Sequence, residues 1–570
     1  MTDRLSPDAT TSAPGAAAEA TILDALDAAA ASDRGFDFYS ARGALLESLP
    51  YARLREDARA LGARLLAAGL VPGDRVALIA ETEADFARLF FACGYARLIP
   101  APMPLPMAFG GRENYLAHIR RMIECADAAA AFAPAALKDW LDEAAAGLPL
   151  KLSGTVADIP EAAAPADLAP PSPDDLAYLQ FSSGSTRFPK GIMVTHRALM
   201  ANATGISRDG LETTPADRCV SWLPFYHDMG LVGFMLTPVV AGLSVDYLST
   251  RDFARRPMMW LELIARNRAT ISYSPSFGFE LCVQRAATLD LGALDISTWR
   301  AAGIGGDMIR PNVLRRFADR FAAHGFRMES FVPSYGMAEA TLALSFAPLR
   351  RGMRAETVDL DRLESGHAAA PATAEARTRE FVLCGRPLDD HAIEVRDAAG
   401  APLPERQVGQ VFAKGPSLMT AYYREPEATE AAIRDGWLDT GDLGYFADGE
   451  IVITGRAKDL VLVNGRNVWP QDMEWTVESE LDGVRSGDVA VFSVDADEGE
   501  DVVALVQCRA SAPEIREKLA TDVASLLRLR FGVPVTVRIV GAHALPVTSS
   551  GKLSRSRSRE LFLAMKSAEA

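Results

Sequence analysis

The stretch Ser182-Ser-Gly-Ser-Thr-Arg-Phe-Pro-Lys-Gly191 concentrates four hydroxyls, two glycines and two cations in ten residues. It follows an apolar run that ends at Phe181 and precedes Ile192-Met-Val-Thr195, and both runs are typical of short buried strands. Glycines let backbone N–H groups turn towards a ligand, and hydroxyls and a lysine add further donors. The stretch therefore predicts a loop between two strands that holds a polyphosphate.

A P-loop and a hairpin without a ligand are the two alternatives to this kind of polyphosphate loop. The P-loop of many nucleotide-binding proteins requires Gly-x4-Gly-Lys-[Ser/Thr] running directly into a helix, whereas this loop runs into a strand. A flexible Ser/Gly hairpin without a ligand is the plainer alternative, because Gly/Ser clusters are common between strands. The loop by itself leaves the hairpin and the phosphate site both open.

Length and composition restrict the class of protein. A chain of 570 residues exceeds what one hydrophobic core usually supports, so two or more domains are expected. The net charge of −16 argues against nucleic-acid binding. Six scattered cysteines without a C-x-x-C pair predict reduced thiols and a cytoplasmic location. The apolar run Leu231–Leu243 falls short of the roughly 20 residues of a membrane span, so it predicts a buried segment and no integral membrane segment.

The patterns along the chain predict an α/β protein with a large and a small domain. Helical periodicity in Tyr51–Leu70 is followed by a strand pattern at Arg75–Ala80, and such alternation implies parallel sheets covered by helices. We expect a disordered tail over 1–20, a large domain of helix-covered sheets over 21–456 and a small α+β domain over 457–570. The stretch 347–380 has little periodicity and is long for a connection, so it is either functional or disordered.

Four further segments place polar residues in apolar surroundings: Ser334-Tyr-Gly-Met-Ala-Glu339, Gly436-Trp-Leu-Asp-Thr-Gly-Asp442, Gly455-Arg456 and Thr548-Ser-Ser-Gly-Lys552. Each alone is explained equally well by a helix start, a turn, a surface ion pair or an exposed lysine. Together with the first loop, in this order and spacing, they resemble the adenylate-forming superfamily of acyl-CoA synthetases, luciferases and peptide-synthetase adenylation domains. The resemblance extends from about Ala177 to Arg559.

The resemblance implies ATP and Mg²⁺ as cofactors and a two-step reaction, in which a carboxylate is adenylated and then transferred to a second nucleophile. The nucleotide-binding residues that it implies are Ser182, Ser183, Gly184, Ser185, Thr186, Lys190, Ser334, Tyr335, Gly336, Met337, Asp442 and Arg456. Within this set, Tyr335 would stack on adenine and Asp442 would hold the ribose hydroxyls. Glu339 would ligate Mg²⁺, and Lys552 would bridge the acyl carboxylate and the α-phosphate.

Two more residues take roles from the resemblance. His227, in Pro224-Phe-Tyr-His-Asp-Met-Gly230, would be a catalytic gate near the substrate carboxylate, with Asp228 fixing its tautomer; a hydrogen-bonded core histidine is the alternative. Lys458 would be the hinge between adenylation and transfer conformations.

The sequences of Ser221–Leu231 and Val463–Asp472 resemble those of the fatty acyl-AMP ligase branch in particular. That branch activates fatty acids and passes them to the phosphopantetheine thiol of a separate acyl carrier protein, and the stretch 347–380 resembles its insertion. A fatty acyl-CoA synthetase and a non-catalytic acyl-adenylate-binding protein remain the alternatives. The residues that we expect to line the acyl tunnel are Met229, Phe234, Phe277, Phe279 and Ile304.

Two segments depart from the sequence of the ligase branch, and a third segment suggests a docking surface. The ligase branch often has Thr where this chain has Ser182-Ser183, and Ile304-Gly-Gly-Asp-Met308 departs from the turn expected near adenine. Three arginines at 555, 557 and 559 form a local basic row, and we expect it to dock an acidic carrier protein.

Overall fold

The computed structural model describes residues 20–106, 111–161, 168–181, 189–373, 376–463, 466–496, 499–547 and 553–569. The expected tail up to residue 19, the loop residues Ser182, Ser183, Gly184, Ser185 and Thr186, and the expected catalytic Lys552 lie outside the described residues.

The strands are β1 (Gly35–Tyr39), β2 (Leu45–Pro50), β3 (Arg75–Ile79), β4 (Ile99–Met103), β5 (Ala128–Phe132), β6 (Leu152–Gly154), β7 (Leu176–Phe181), β8 (Gly191–Thr195), β9 (Arg218–Ser221), β10 (Ser244–Leu248), β11 (Ile271–Ser274), β12 (Ala301–Ile304), β13 (Phe331–Gly336), β14 (Ala343–Phe346), β15 (Ala355–Asp359), β16 (Thr378–Val382), β17 (Arg386–Pro387), β18 (Ala392–Arg396), β19 (Gly409–Lys414), β20 (Ile433–Arg434), β21 (Trp437–Ala447), β22 (Glu450–Arg456), β23 (Val461–Val463), β24 (Arg466–Val468), β25 (Val489–Ala496), β26 (Gly499–Gln507) and β27 (Val535–Val540).

The α-helices are α1 (Ile22–Ala29), α2 (Tyr51–Ala67), α3 (Ala84–Tyr95), α4 (Gly111–Ala126), α5 (Lys138–Ala145), α6 (His196–Gly205), α7 (Asp228–Leu231), α8 (Thr237–Ala241), α9 (Thr250–Arg255), α10 (Met258–Asn267), α11 (Ser276–Ala286), α12 (Pro311–Phe321), α13 (Leu360–Gly366), α14 (Pro426–Ala432), α15 (Pro470–Glu480), α16 (Pro513–Phe531) and α17 (Arg555–Glu569).

Two sheets built largely of parallel strands form the centre of the molecule, as the alternation of helix and strand patterns predicts. The larger has nine strands in the order β17-β14-β13-β12-β11-β9-β10-β1-β2, and the smaller has the order β4-β3-β5-β6. Strands β9 to β13 pair in parallel, so their carboxyl ends lie along one edge. In parallel sheets that edge is where ligands bind.

The stretch around the first loop folds as its sequence indicates. Strands β7 and β8 pair antiparallel, and their register joins Phe181 to Gly191 across the base of the loop. A second hairpin, β21–β22, turns at Asp448-Gly449, where Ala447 faces Glu450. Asp-Gly at a two-residue turn suits the positive φ angles of 53° and 74° that these two residues adopt.

The C-terminal elements have apolar cores of their own. Strands β25, β26 and β27 form one sheet, and α15 and α16 pack on one face of it while α17 packs on the other. Pro470 occupies the first turn of α15, which suits a residue without an N–H. A short 3₁₀ turn, Ala457–Asp459, precedes these elements. The domain boundary at residue 457 stays a prediction.

Of the two alternatives for 347–380, functional or disordered, disorder is wrong for the residues that the structure describes there. Strands β15 and β16 pair antiparallel over five residues, and α13 lies between them in sequence. Their buried side chains, Val358, Leu363 and Phe381, share an apolar cluster with Tyr445 and Trp469. The stretch is therefore a small packed unit, whose strands are too short to give a clear sequence pattern.

The apolar run Leu231–Leu243 is buried, as expected, in α7, a π-helical turn (Val232–Leu236) and α8. Across the part of the chain that the structure describes, every helix is too short or too polar to cross a membrane.

Candidate active site

A cavity of about 730 Å³ opens at the carboxyl ends of the central strands. Its wall combines residues after β11, β12 and β13 with residues of α15 and of the segment 553–556. One part of the wall is rich in polar groups and the other is apolar. The expected nucleotide residues that line it are Ser334, Tyr335, Gly336, Met337, Asp442 and Arg456.

The polar part is organised around Asp442. Tyr335 is buried and its hydroxyl donates a hydrogen bond to Oδ2 of Asp442 at 2.8 Å. Arg456 places its Nε 3.3 Å from the other oxygen of the same carboxylate. A side chain at Gly336 would put Cβ 1.9 Å from the carbonyl oxygen of Leu342, so only glycine fits there. The three motifs that carry these residues thus converge on one buried carboxylate.

Desolvation raises the pKa of both acids in this part of the cavity. Desolvation raises the pKa of Asp442, and Arg456 and the Tyr335 hydroxyl oppose that rise. Desolvation also raises the pKa of Glu339, with the Tyr422 hydroxyl and Arg456 among the opposing groups. Buried carboxylates with perturbed pKa values in a cleft are typical of functional sites.

Glu339 has a partner that the sequence did not indicate. The hydroxyl of Tyr422 donates to Oε1 of Glu339 at 2.9 Å. Lys190, near the end of the first loop, holds its Nζ 4.8 Å from the centre of the Tyr422 ring. Tyr422 therefore connects the expected Mg²⁺ ligand with the expected phosphate-binding lysine.

His227 lies in the cavity wall at the start of α7. Its Nδ1 is 2.6 Å from Oδ1 of Asp228, and that oxygen also accepts a hydrogen bond from the backbone N–H of Met229. The Met229 N–H also lies 3.3 Å from Nδ1 of His227, and the shorter contact to the carboxylate favours the tautomer protonated on Nδ1, which leaves Nε2 as the unprotonated nitrogen. The position agrees with the expected gate, and the role stays a prediction.

Three of the five expected tunnel residues, Met229, Phe234 and Phe277, line the cavity. The apolar arm also includes Ile206, Leu211, Cys219, Ile271, Tyr273, Leu342 and Phe346. The prediction is wrong for Phe279 and Ile304, which are fully buried elsewhere. Phe279 packs on the rings of Trp260, Phe317 and Phe331, and Ile304, the last residue of β12, lies in the main apolar core.

C-terminal residues complete the wall. Lys458, the expected hinge, lies in the wall with an exposed side chain, and partial desolvation lowers its pKa. Residues 553–556, which follow Lys552 directly, also line the cavity.

The basic row differs from the sequence expectation. Arg555 is directed inward and pairs with Glu474 and Asp459, so it is not available to dock a carrier protein. Arg557 is exposed, whereas Arg559 is half-buried.

Two arginines fasten helix α15 to the rest of the molecule. Arg310 bonds Glu478 at 3.2 Å and Ser486 at 2.8 Å, and its guanidinium lies 4.9 Å from the Trp475 ring centre. Arg379, from β16, pairs with Asp472 at 2.9 Å.

These contacts hold the C-terminal elements over the cavity. The sequence gave no sign of them because the partners are more than 90 positions apart.

The donor set suits Mg²⁺ held partly by a nucleotide. Among the described residues no group of three or more His, Cys, Asp or Glu side chains forms a metal cage. Mg²⁺ commonly binds one or two carboxylates together with substrate phosphates, and Glu339 in the cavity wall offers such a carboxylate.

Comparison with known proteins gives consistent relatives. The family model for AMP-binding enzymes matches residues 29–423. A "Putative acyl-CoA synthetase" of Caulobacter vibrioides is 54% identical over 547 residues, which cover 95% of each chain. The medium-chain-fatty-acid–[acyl-carrier-protein] ligase JamA of Moorena producens is 31% identical over 549 residues, 91% of this chain and 90% of its own.

Solved structures agree with these relatives. A chain from structural and functional studies of fatty acyl-adenylate ligases of E. coli and L. pneumophila superposes with a TM-score of 0.92. It is 44% identical, and the alignment covers 96% of this chain and 98% of that one.

Proposed function

The chain belongs to the family of AMP-binding enzymes, and we propose that it converts a fatty acid and ATP into fatty acyl-AMP and pyrophosphate and then passes the acyl group to the phosphopantetheine thiol of a separate acyl carrier protein. The observation that carries the proposal is the cavity that joins two carboxylates, the buried Asp442 and the half-buried Glu339, to an apolar arm. A nucleotide suits the first part and an alkyl chain suits the second.

Positioning and charge neutralisation would supply the catalysis. The fatty acid carboxylate attacks the α-phosphorus of ATP, the bond to the bridging oxygen breaks and pyrophosphate leaves. Both reactants are anionic, so cations that meet the developing charge lower the barrier. We assign this role to Lys552, with Lys190 and the loop 182–186 on the leaving phosphates and Arg456 beside the ribose site.

Asp442 and Tyr335 would hold the nucleoside. An ionised carboxylate accepts two hydrogen bonds in parallel, which matches the two ribose hydroxyls. The Tyr335 hydroxyl donates to one oxygen of that carboxylate, and the Tyr335 ring, which lies in the cavity wall, would stack on adenine. Glu339 would hold Mg²⁺, which neutralises phosphate charge when bound.

The small packed unit at 347–380 supports transfer to a carrier protein rather than to coenzyme A. Arg379 of this unit pairs with Asp472 of α15 and lies 5.0 Å from the Trp469 ring centre. Such a contact opposes rotation of the C-terminal elements, and it agrees with the role expected for the ligase-branch insertion. The relative JamA, which is named as a ligase for an acyl carrier protein, also supports transfer to a carrier protein.

A fatty acyl-CoA synthetase is the second candidate, since the Caulobacter relative at 54% identity is named "Putative acyl-CoA synthetase". A non-catalytic acyl-adenylate-binding protein is the third, and the presence of Lys552, the assigned catalytic lysine, together with Glu339 and Asp442 argues against it.

One assay separates the three candidates. The protein is incubated with ATP, Mg²⁺ and a panel of fatty acids, with either coenzyme A or a phosphopantetheinylated carrier protein, and the products are separated. We expect acyl-AMP with coenzyme A and acyl-carrier thioester with the carrier. Rapid acyl-CoA formation would identify the synthetase, and the absence of pyrophosphate release with every acid would identify the binding protein.

A further inference from the structure

A short segment between β19 and α14 links two parts of the site. This bridging segment, Ser417-Leu-Met-Thr-Ala-Tyr-Tyr423, is bonded on one side to the turn that carries Glu339 and on the other to β8, the strand that leaves the first loop.

The first set of bonds fixes the Glu339 turn. The backbone N–H of Met419 donates to the carbonyl oxygen of Glu339 at 2.8 Å. The Thr341 hydroxyl donates to the carbonyl oxygen of Ser417 at 2.7 Å. Thr341 has a φ of 69°, which a threonine rarely adopts, so its neighbours must hold the turn in place.

The second set of bonds fixes the exit of the first loop. Thr420 donates its N–H to the carbonyl oxygen of Met193 at 3.0 Å, and Met193 donates to the carbonyl oxygen of Ala421 at the same distance. The N–H of Tyr423 donates to the carbonyl oxygen of Gly191 at 2.7 Å. The bridging segment therefore runs antiparallel beside β8 and pairs with it through an isolated bridge between Ile192 and Tyr422.

The side chain of Tyr422 contacts both Glu339 and Lys190. Its hydroxyl donates to Oε1 of Glu339 at 2.9 Å, and Lys190 places Nζ 4.8 Å from its ring centre. The hydroxyl and the ring thus serve different partners. A hydrogen bond to one carboxylate oxygen fixes the plane of that carboxylate, and a ring face holds an ammonium group by electrostatic attraction.

We propose that Tyr422 is a positioning residue that fixes the Glu339 carboxylate and the Lys190 ammonium relative to each other. Glu339 can then bind Mg²⁺ while Lys190 contacts the phosphates of the same nucleotide. The proposal rests on the proposed function, because it takes Glu339 as the Mg²⁺ ligand. Its two halves can be tested separately, since Tyr422→Phe removes the hydroxyl and Tyr422→Ala also removes the ring.

The test measures ATP binding by calorimetry across a Mg²⁺ titration. In Tyr422→Phe we expect the half-saturating Mg²⁺ concentration to rise by about five-fold or more, while the Kd of ATP at saturating Mg²⁺ stays within about two-fold of wild type. In Tyr422→Ala we expect the Kd of ATP at saturating Mg²⁺ to rise by a further factor of about three to ten. Tyr423→Phe is the matched control, because that ring faces Arg75 and Arg424 instead.

An unchanged half-saturating Mg²⁺ concentration in Tyr422→Phe overturns the proposal, whatever happens to turnover or melting temperature. Equal ATP affinities of the Phe and Ala variants at saturating Mg²⁺ overturn the Lys190 half. A wild-type protein that binds no ATP overturns the proposed function itself, which distinguishes the two failures.

Discussion

Tyr335→Phe tests how the nucleoside part of the cavity works. The substitution keeps the ring for stacking and removes the hydroxyl that donates to Asp442 at 2.8 Å. Both residues are buried, so water cannot easily replace the lost bond. The second partner of the Asp442 carboxylate is Arg456. Its side chain is 45% exposed, so it orients the carboxylate less strongly than the buried Tyr335 hydroxyl does.

The expected size of the effect follows from that geometry. A hydrogen bond to a charged group contributes about 1.5–3 kcal/mol, and tenfold in affinity is about 1.4 kcal/mol. If Asp442 holds the ribose only when Tyr335 orients it, the Kd of ATP rises roughly 10- to 150-fold. Calorimetry with ATP, or with adenosine as a ligand without phosphates, measures this rise directly.

Tyr445→Phe is the control for a general loss of stability. Its hydroxyl donates to Glu356 at 2.5 Å, a similar bond on the packed unit at 347–380, and the Tyr445 side chain is not part of the cavity wall. We expect a lower melting temperature with an unchanged Kd of ATP. The reasoning is refuted if Tyr335→Phe binds ATP within about three-fold of wild type, or if both variants weaken binding equally.

Three further predictions follow. Lys552→Ala should bind ATP but form no acyl-hydroxamate when hydroxylamine traps the adenylate; near-normal trapping would exclude the assigned role. Arg310→Met should slow adenylation about tenfold or more, because it removes charge-assisted bonds to α15, whereas exposed Arg316→Gln should not. Burial raises the pKa of Glu83 to about 7, so its contribution to stability falls as pH rises from about 4.5 to 7; Glu83→Gln should melt higher than wild type at pH 8 and equally at pH 4.5, and a constant gap would contradict this.

The parts of the fold with strong local signals could be predicted from the sequence. The helical periodicity of Tyr51–Leu70 predicted α2 and the strand pattern at Arg75–Ala80 predicted β3, because such patterns depend on neighbouring residues. The packed unit at 347–380 gave no such signal, since its strands are short and are stabilised by distant side chains such as Trp469.

The same distinction applies to the site. Residues within the motifs, such as Tyr335 and Asp442, converge as the resemblance implies. Tyr422 lies in a segment without a recognisable pattern, and only the fold brings it to Glu339. Phe279 was misplaced because an apolar residue in a core and one lining a tunnel look alike in sequence. Contacts between distant residues are therefore what the sequence does not reveal.

The central claim is that this cavity adenylates a fatty acid, and mass analysis of the nucleotide products tests it most directly. Protein, ATP, Mg²⁺ and a fatty acid are incubated without a thiol acceptor. The account predicts fatty acyl-AMP and pyrophosphate in equal amounts, both absent when the acid is omitted. Formation of ADP and phosphate, or acyl-AMP in equal yield from Lys552→Ala, would contradict it.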